Sequence, residues 1–255
     1  DIDMTLLNHK DYKITPSALL AIESLREQGH IIVLATGRNP ENSDSRQFVD
    51  IVKPDAVIGL NGTLVKVGEE KIFEHFFDKD VLRGLAKYVE GKECSIGLTL
   101  EDKDYFFNPH IIDAYDIKRW GQHFRKFYPA EELFDLPIRT LTYIGPVEGA
   151  KDIEKKFPTL KLPLFAGMFG ADVVEKVASK AEGLKRLCNY FDIDLKDTVS
   201  FGDSMNDKEI LDESGLGIAM GNSIEELKGY ADYVTDNIAD YGVFNALVKF
   251  GFINT

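Results

Sequence analysis

Two short aliphatic runs constrain the fold of this chain more than any other feature. His30-Ile31-Ile32-Val33-Leu34-Ala35 and Ala56-Val57-Ile58-Gly59-Leu60 are rich in β-branched residues, lack polar alternation and are too short for buried helices. A strand that is apolar on both faces must be covered on both, which is the situation of parallel strands flanked by helices. The first run stops at Thr36-Gly37-Arg38 and the second at Asn61-Gly62. A polar, helical stretch to Val52 separates them. Strand, helix, strand predicts an α/β, doubly wound parallel sheet. Ahead of it, Thr15-Pro16 supplies a cap residue and a first-turn proline. Ala18, Ala21, Ile22 and Leu25 then recur at helical spacing before Gly29.

The rhythm returns late in the chain. Ser179-Lys180-Ala181-Glu182 has the Ser-x-x-Glu pattern of a helix start, and Leu184, Leu187 and Phe191 follow on one face. Thr198-Val199-Ser200-Phe201 reads as a strand ending at Gly202-Asp203. Helices are expected near 206–214 and 223–230, with strands at 216–220 and 232–235. Between the halves the pattern changes. Ser95–Leu100 and Arg139–Ile144 alternate in polarity, as half-buried antiparallel strands do. Helices are expected near 79–90 and 110–128. The reading is a core of residues 1–77 plus 172–255, interrupted by an α+β insertion of residues 78–171.

A net charge of −13 argues against nucleic acid or an anionic membrane surface as a partner. Cys94 and Cys188 are too few for a disulfide framework or a zinc site and read as free thiols. No apolar run approaches a membrane span and no secretory signal is visible, so a cytoplasmic protein is expected. The charge sets a condition on any anionic substrate: its site needs local positive charge, from a metal or a placed lysine.

Candidate chemistry sits just after strands or at a helix start, where open α/β sheets bind ligands. Asp1 and Asp3 flank Ile2, so in an extended segment their side chains emerge on one side, roughly 6–7 Å apart. That suits one carboxylate to attack phosphorus and the other to handle a proton. The chain begins at Asp1, so the apolar strand expected to lead into this motif would lie upstream. Thr36 supplies a hydroxyl, and Lys180 a cation set against its helix dipole. Gly202-Asp203-Ser204-Met205-Asn206-Asp207 supplies further carboxylates. Each has an ordinary reading alone: a solvated acidic terminus, a turn, a solvated lysine, an N-cap. Their order and common placement favour one crevice.

Asp1-Ile2-Asp3-Met4-Thr5, Ala35-Thr36-Gly37-Arg38, Lys180 and Gly202–Asp207 resemble the four ordered motifs of the haloacid dehalogenase (HAD) superfamily. The resemblance covers nearly the whole chain. Asn61-Gly62, Met220-Gly221-Asn222 and Tyr241-Gly242-Val243 are similar to accessory motifs of its Cof-type sugar-phosphate phosphatases. The resemblance implies a Rossmann-like HAD core with an inserted cap between the second and third motifs. It also implies a Mg²⁺-dependent phosphatase acting on a small phosphomonoester. Asp1 would be the nucleophile and Asp3 the acid and base. Thr36, Gly37, Asn61, Lys180 and Asn206 would bind phosphate, with Asp207 orienting Lys180 or a metal-bound water. Mg²⁺ would be held by Asp1, the Asp3 carbonyl and Asp203. Met4 departs from the pattern, where glycine is usual. The second aspartate separates a phosphatase from a dehalogenase, which has no alkoxide to protonate. A phosphomutase or a non-catalytic phosphate-sensing module is the alternative, and either a monomer or a homodimer is compatible with the chain.

Two expectations concern the insertion. Ile117, Trp120, Phe124 and Phe127 at helical spacing predict an amphipathic helix that packs its aromatic side on the inserted sheet, with Lys118, Arg119, Arg125 and Lys126 in solvent or with one or two of these cations facing the crevice. Hinges are expected near Phe77-Asp78 and within Gly167–Gly170.

Overall fold

The computed structural model describes residues 1–165 and 169–254. The chain divides into two units, one of Asp1–Glu74 with Ala178–Thr255 and the other of His75–Val177. The second unit begins earlier and ends later than the 78–171 expected. Its strand Ala171–Glu175 belongs to the inserted sheet, and the buried Glu175 carboxylate accepts the Asp78 N–H at 3.0 Å and bonds His75 Nε2 at 2.7 Å. Of the second expected hinge, Gly167 and Met168 lie outside the described residues.

In the first unit, strands Val33–Ala35 and Ala56–Gly59 pair in parallel. An antiparallel hairpin, Leu64–Val67 with Glu70–Glu74, extends that sheet. Strands Val199–Gly202, Leu216–Ala219 and Tyr233–Val234 form a second parallel set. Both faces are covered, as the apolar runs require. Leu34 and Val57 join Phe48, Val243 and Leu247 in one buried cluster, while Ala35 and Ile58 join Ala181, Leu184, Leu187 and Ile210 in another. Neighbours along each strand thus point to opposite layers. The result is an α/β, Rossmann-like core. Its late helices are shorter than expected: Lys208–Glu213 follows a 3-10 turn at Met205–Asp207, and Glu225–Lys228 is a single turn.

The second unit is an α+β fold on a six-stranded sheet, in the order Leu160–Lys161, Ala171–Glu175, Leu141–Ile144, Ser95–Leu100, Lys103–Phe107, Phe127–Tyr128. The strand pairs are antiparallel except the last, which is parallel. Helices Lys79–Val89 and Val147–Lys156 bury Leu82, Leu85, Ala150 and Ile153 with Ile96, Leu141, Tyr143 and Val173. Phe106 and Ile144, one residue out of phase, pack instead on Ile112 of helix Pro109–Trp120.

That helix ends well before residue 128. Gly121 takes φ +78° and closes the last turn, its N–H donating to the Ile117 carbonyl. Arg125 therefore lies beyond the helix. Its Nε bonds the Asp116 carboxylate, and its Nη1 donates to Asp104 Oδ1 at 2.9 Å. Arg119 stacks on the Trp120 ring and donates to the Tyr115 hydroxyl at 3.3 Å. Among the described residues, no helix is long and apolar enough to cross a membrane.

Candidate active site

The residues singled out by sequence gather at the carboxyl ends of the first unit's strands. Asp1 is positioned beside strand Val199–Gly202, its amino nitrogen donating to the Phe201 carbonyl at 3.0 Å. Asp203 follows the end of the same strand, and Asp207 closes the turn after it. Lys180 opens helix Lys180–Phe191, which Ser179 caps by accepting the Glu182 N–H at 3.0 Å.

The approach of that helix depends on Gly62. Its φ is +97°, and a Cβ there would lie 2.1 Å from the Ser179 carbonyl oxygen. Any larger residue would push the helix start, and Lys180 with it, out of place. Asn61 beside it also takes the left-handed conformation, at φ +53°, and is buried. Its Oδ1 accepts the Asn206 amide at 3.0 Å, while Asn206 Oδ1 accepts the Ser204 hydroxyl at 2.7 Å.

Lys180 is 1% exposed, with its ammonium 2.7 Å from Asp1 Oδ1 and 2.5 Å from Asp207 Oδ1. A lysine at a helix start opposes the dipole; here two carboxylates offset both that and the loss of water. Asp207 is fully engaged, since its other oxygen accepts the backbone N–H groups of Asp203 and Ser204 at 3.0 and 3.2 Å. One of its oxygens is turned to Lys180 and the other to the backbone of its own turn. Asp203 is different. Among the described residues no side-chain hydrogen bond or ion pair holds its carboxylate, and burial, then the charge of Asp207, pushes its pKa up to about 7.

Carboxylate oxygens of Asp1, Asp203 and Asp207 lie within 4.8 Å of one another. Three buried carboxylates with one ammonium carry excess negative charge, which a hard divalent cation would relieve through oxygen ligands. The donor set therefore fits a metal, with Asp1 and Asp203 the available side chains.

Asp3 stands apart from this cluster in its partners. Arg38 grips it with both arms, Nη2 at 2.6 Å from Oδ1 and Nε at 2.7 Å from Oδ2, and His9 Nε2 lies 2.7 Å from Oδ1. Burial pushes its pKa up, but the bonds from Arg38 and His9 outweigh that and hold it below the ordinary carboxylate value. Arg38 itself lies over the Phe48 ring and donates to the Tyr12 hydroxyl. Sequence reading gave Arg38 and His9 no role. Arg38 does follow Thr36-Gly37, and that adjacency was the available signal. Thr36 is buried at the end of its strand, and its Oγ1 accepts the Arg38 N–H at 3.0 Å, so its own proton remains to be donated. Met4 takes φ +55°, the left-handed region that favours glycine.

The family model for haloacid dehalogenase-like hydrolases matches residues 1–247. YkrA, a putative phosphatase of Bacillus subtilis (strain 168), is 28% identical over 274 residues, covering 99% of this chain and 96% of that protein. The phosphoglycolate phosphatase of Methanobrevibacter smithii is 27% identical over 254 residues, covering 98% and 96%. The solved structure of BT4131, described as a HAD subclass IIB sugar phosphatase, is similar with a TM-score of 0.83 at 28% identity, covering 99% of this chain and 98% of that one. The chain belongs to the haloacid dehalogenase-like hydrolase family. Relatives so similar along their whole length are named phosphatases, and this chain is an enzyme of that kind.

Proposed function

We propose that the chain is a Mg²⁺-dependent phosphatase that hydrolyses a small soluble phosphomonoester through an aspartyl-phosphate on Asp1. The observation that carries this reading is the buried Lys180 ammonium shared by Asp1 and Asp207, with the unpaired Asp203 carboxylate beside them. A sugar phosphate or a phosphorylated cofactor is the substrate class, the first of these supported by the likeness to the sugar phosphatase BT4131.

Asp1 attacks phosphorus with the carboxylate oxygen not held by Lys180, and the bond from phosphorus to the leaving oxygen breaks. Asp3, having left the grip of Arg38 and taken up a proton from solvent, delivers it to that oxygen. Water then attacks the aspartyl-phosphate, Asp3 takes its proton back, and Asp1 is released with inorganic phosphate. The ionised Asp3 gripped by Arg38 has the form needed for the second step. Thr36 donates its hydroxyl to a phosphoryl oxygen, and Asn206, locked by Asn61 and Ser204, is read as a further phosphate contact. Lys180 balances charge on Asp1 and the phosphoryl group. Mg²⁺, held by Asp1, the Asp3 carbonyl and Asp203, would supply positive charge for a dianionic substrate in an acidic protein. The inserted unit is read as the substrate-selecting cap, from its place in the chain between Thr36 and Lys180. Two buried free thiols accord with a cytoplasmic setting.

The test is phosphate release from a panel of sugar and cofactor phosphomonoesters, with Mg²⁺ or EDTA, beside Asp1→Asn. Turnover is expected only with the metal and the intact nucleophile. Equal release by the wild type and Asp1→Asn would sink the assignment.

A further inference from the structure

Asn222 lies in none of the four motifs, yet its side chain reaches the catalytic loop from 218 residues away. Its Nδ2 donates to the Met4 carbonyl at 2.8 Å, while its Oδ1 accepts the Ile238 N–H at 2.7 Å. Both ends of the amide are used, so its orientation is determined. The loop that carries it is itself fixed. Met220 N–H donates to the Gly202 carbonyl at 2.9 Å, and Ile224 N–H to the Asp203 carbonyl at 3.3 Å. Gly221 presses against the neighbouring chain, where a Cβ would lie 2.7 Å from the Asn237 nitrogen. Residues 220–224 thus touch two loops: the one carrying Asp203 and the one carrying Asp1 and Asp3.

Met4 is where this matters. It sits directly after Asp3 in a left-handed conformation that a side chain disfavours, and the peptide bond from Asp3 to Met4 turns with it. Two bonds hold it there: its own N–H to the Leu7 carbonyl at 2.9 Å, and the Asn222 amide on its carbonyl. Without the second, the strain is free to relax by rotating the backbone next to Asp3.

We infer that Asn222 is a positioning residue for the reaction, holding Met4 in its left-handed turn so that Asp3 keeps its direction relative to Asp1 and Asp203. The inference rests on the phosphatase reading and adds a residue to it. A misdirected Asp3 delivers its proton poorly, which harms an alkyl leaving group. It matters far less to p-nitrophenolate, which departs without a proton. General loss of structure would slow both alike.

The experiment compares kcat on a sugar phosphate and on p-nitrophenyl phosphate for wild type, Asn222→Ala, Asn222→Asp and the Met4→Gly/Asn222→Ala double variant, with Tm recorded for each. Asn222→Asp keeps the acceptor for the Ile238 N–H and removes the donor to Met4, so it tests the same bond with the loop retained. Both single variants should lose about 10²-fold on the sugar phosphate, within the usual reach of proton-transfer catalysis, and only a few-fold on the aryl ester. The double variant should recover part of the loss, because glycine adopts the turn without help. Equal losses on both esters, unchanged sugar-phosphate turnover, or additive effects in the double variant would overturn the inference. A wild type inactive on both esters overturns the phosphatase reading first.

Discussion

Each unit buries a cation between carboxylates, and the two clusters are built to opposite ends. In the inserted unit Arg125 joins Asp116 and Asp104, and the remaining demand is met nearby: Asp104 also accepts the Thr99 hydroxyl at 2.7 Å and the Lys126 N–H at 2.8 Å. In the first unit Lys180 joins Asp1 and Asp207, and a third carboxylate, Asp203, is left in the same space with no such donor. A saturated network ties strand to loop and has nothing left to offer a ligand. An unsaturated one holds its charge ready for something that arrives. Buried charge by itself therefore marks neither a site nor a scaffold; the excess does.

The sharpest way to break this contrast is to remove the two cations. Lys180→Ala and Arg125→Ala should each lower stability by about 3–5 kcal/mol, because each leaves buried carboxylates uncompensated. Their turnover should differ. Folded Arg125→Ala, assayed below its own Tm, should keep wild-type kcat within a few-fold, whereas Lys180→Ala should be inactive at any temperature. Similar kcat losses in both would erase the distinction drawn between the clusters.

Acidity should separate them next. The pKa of Asp203 is pushed up to about 7 when folded, mainly by burial and then by Asp207. A raised pKa means that the folded state holds the proton more tightly. Its stabilising contribution is complete below the ordinary carboxylate value, about 3.9, and is lost as pH rises through the folded value. Metal-free protein should therefore lose on the order of 2–4 kcal/mol from this group between pH 4 and 7. Asp203→Asn should flatten that slope, and Asp116→Asn should not. Thermal denaturation in EDTA at several pH values measures it, and an unaltered slope in Asp203→Asn would remove Asp203 as the cause. Asp3 acts in the opposite sense and in a lower window, since its depressed pKa withdraws stability only as pH falls below the carboxylate range. Metal should reverse the Asp203 strain. At about a hundred times its Kd, Mg²⁺ should add about 2–3 kcal/mol to the wild type and to Asp116→Asn, with the gain lost in Asp203→Asn.

Much of the first unit was legible because its signals are local. The aliphatic runs give the strands, and Thr36, Asn61 and Asp203 each stand at or just past the end of one. Lys180 was legible as a cation in the wrong place for its helix. The hairpin of Leu64–Glu74 was not, since Lys66, Glu69 and Glu70 interrupt its apolar pattern and only Gly68, at φ +56°, marks the turn. The Asp3–Arg38–His9 grip and the Asn222 bond were missed for a different reason. They are tertiary contacts between groups that no periodicity relates. In the inserted unit the spacing of Ile117, Trp120, Phe124 and Phe127 pointed to one long helix, and Gly121 overrode it. Phe124 is exposed, and Phe127 belongs to a short edge strand.

The smallest prediction turns on two left-handed residues, one in each unit. Asn108, at φ +51° in the inserted unit, suits its conformation and uses it: the side-chain amide reaches the carbonyls of Val89 and Cys94 at 2.7 and 2.8 Å. Met4, at φ +55°, has no such compensation in its own side chain and relies on its neighbours. Glycine adopts this region without steric penalty, though it loses more backbone freedom on folding. The two terms oppose, and relief of left-handed strain is the larger. Met4→Gly alone should therefore raise stability by about 0.5–1 kcal/mol, with kcat unchanged while Asn222 is present. Chemical denaturation resolves a change of that size from the midpoint at constant slope. A lower midpoint would mean that the Met4 side chain contributes packing worth more than the strain, and the catalytic loop would then be tuned for contact rather than held under tension.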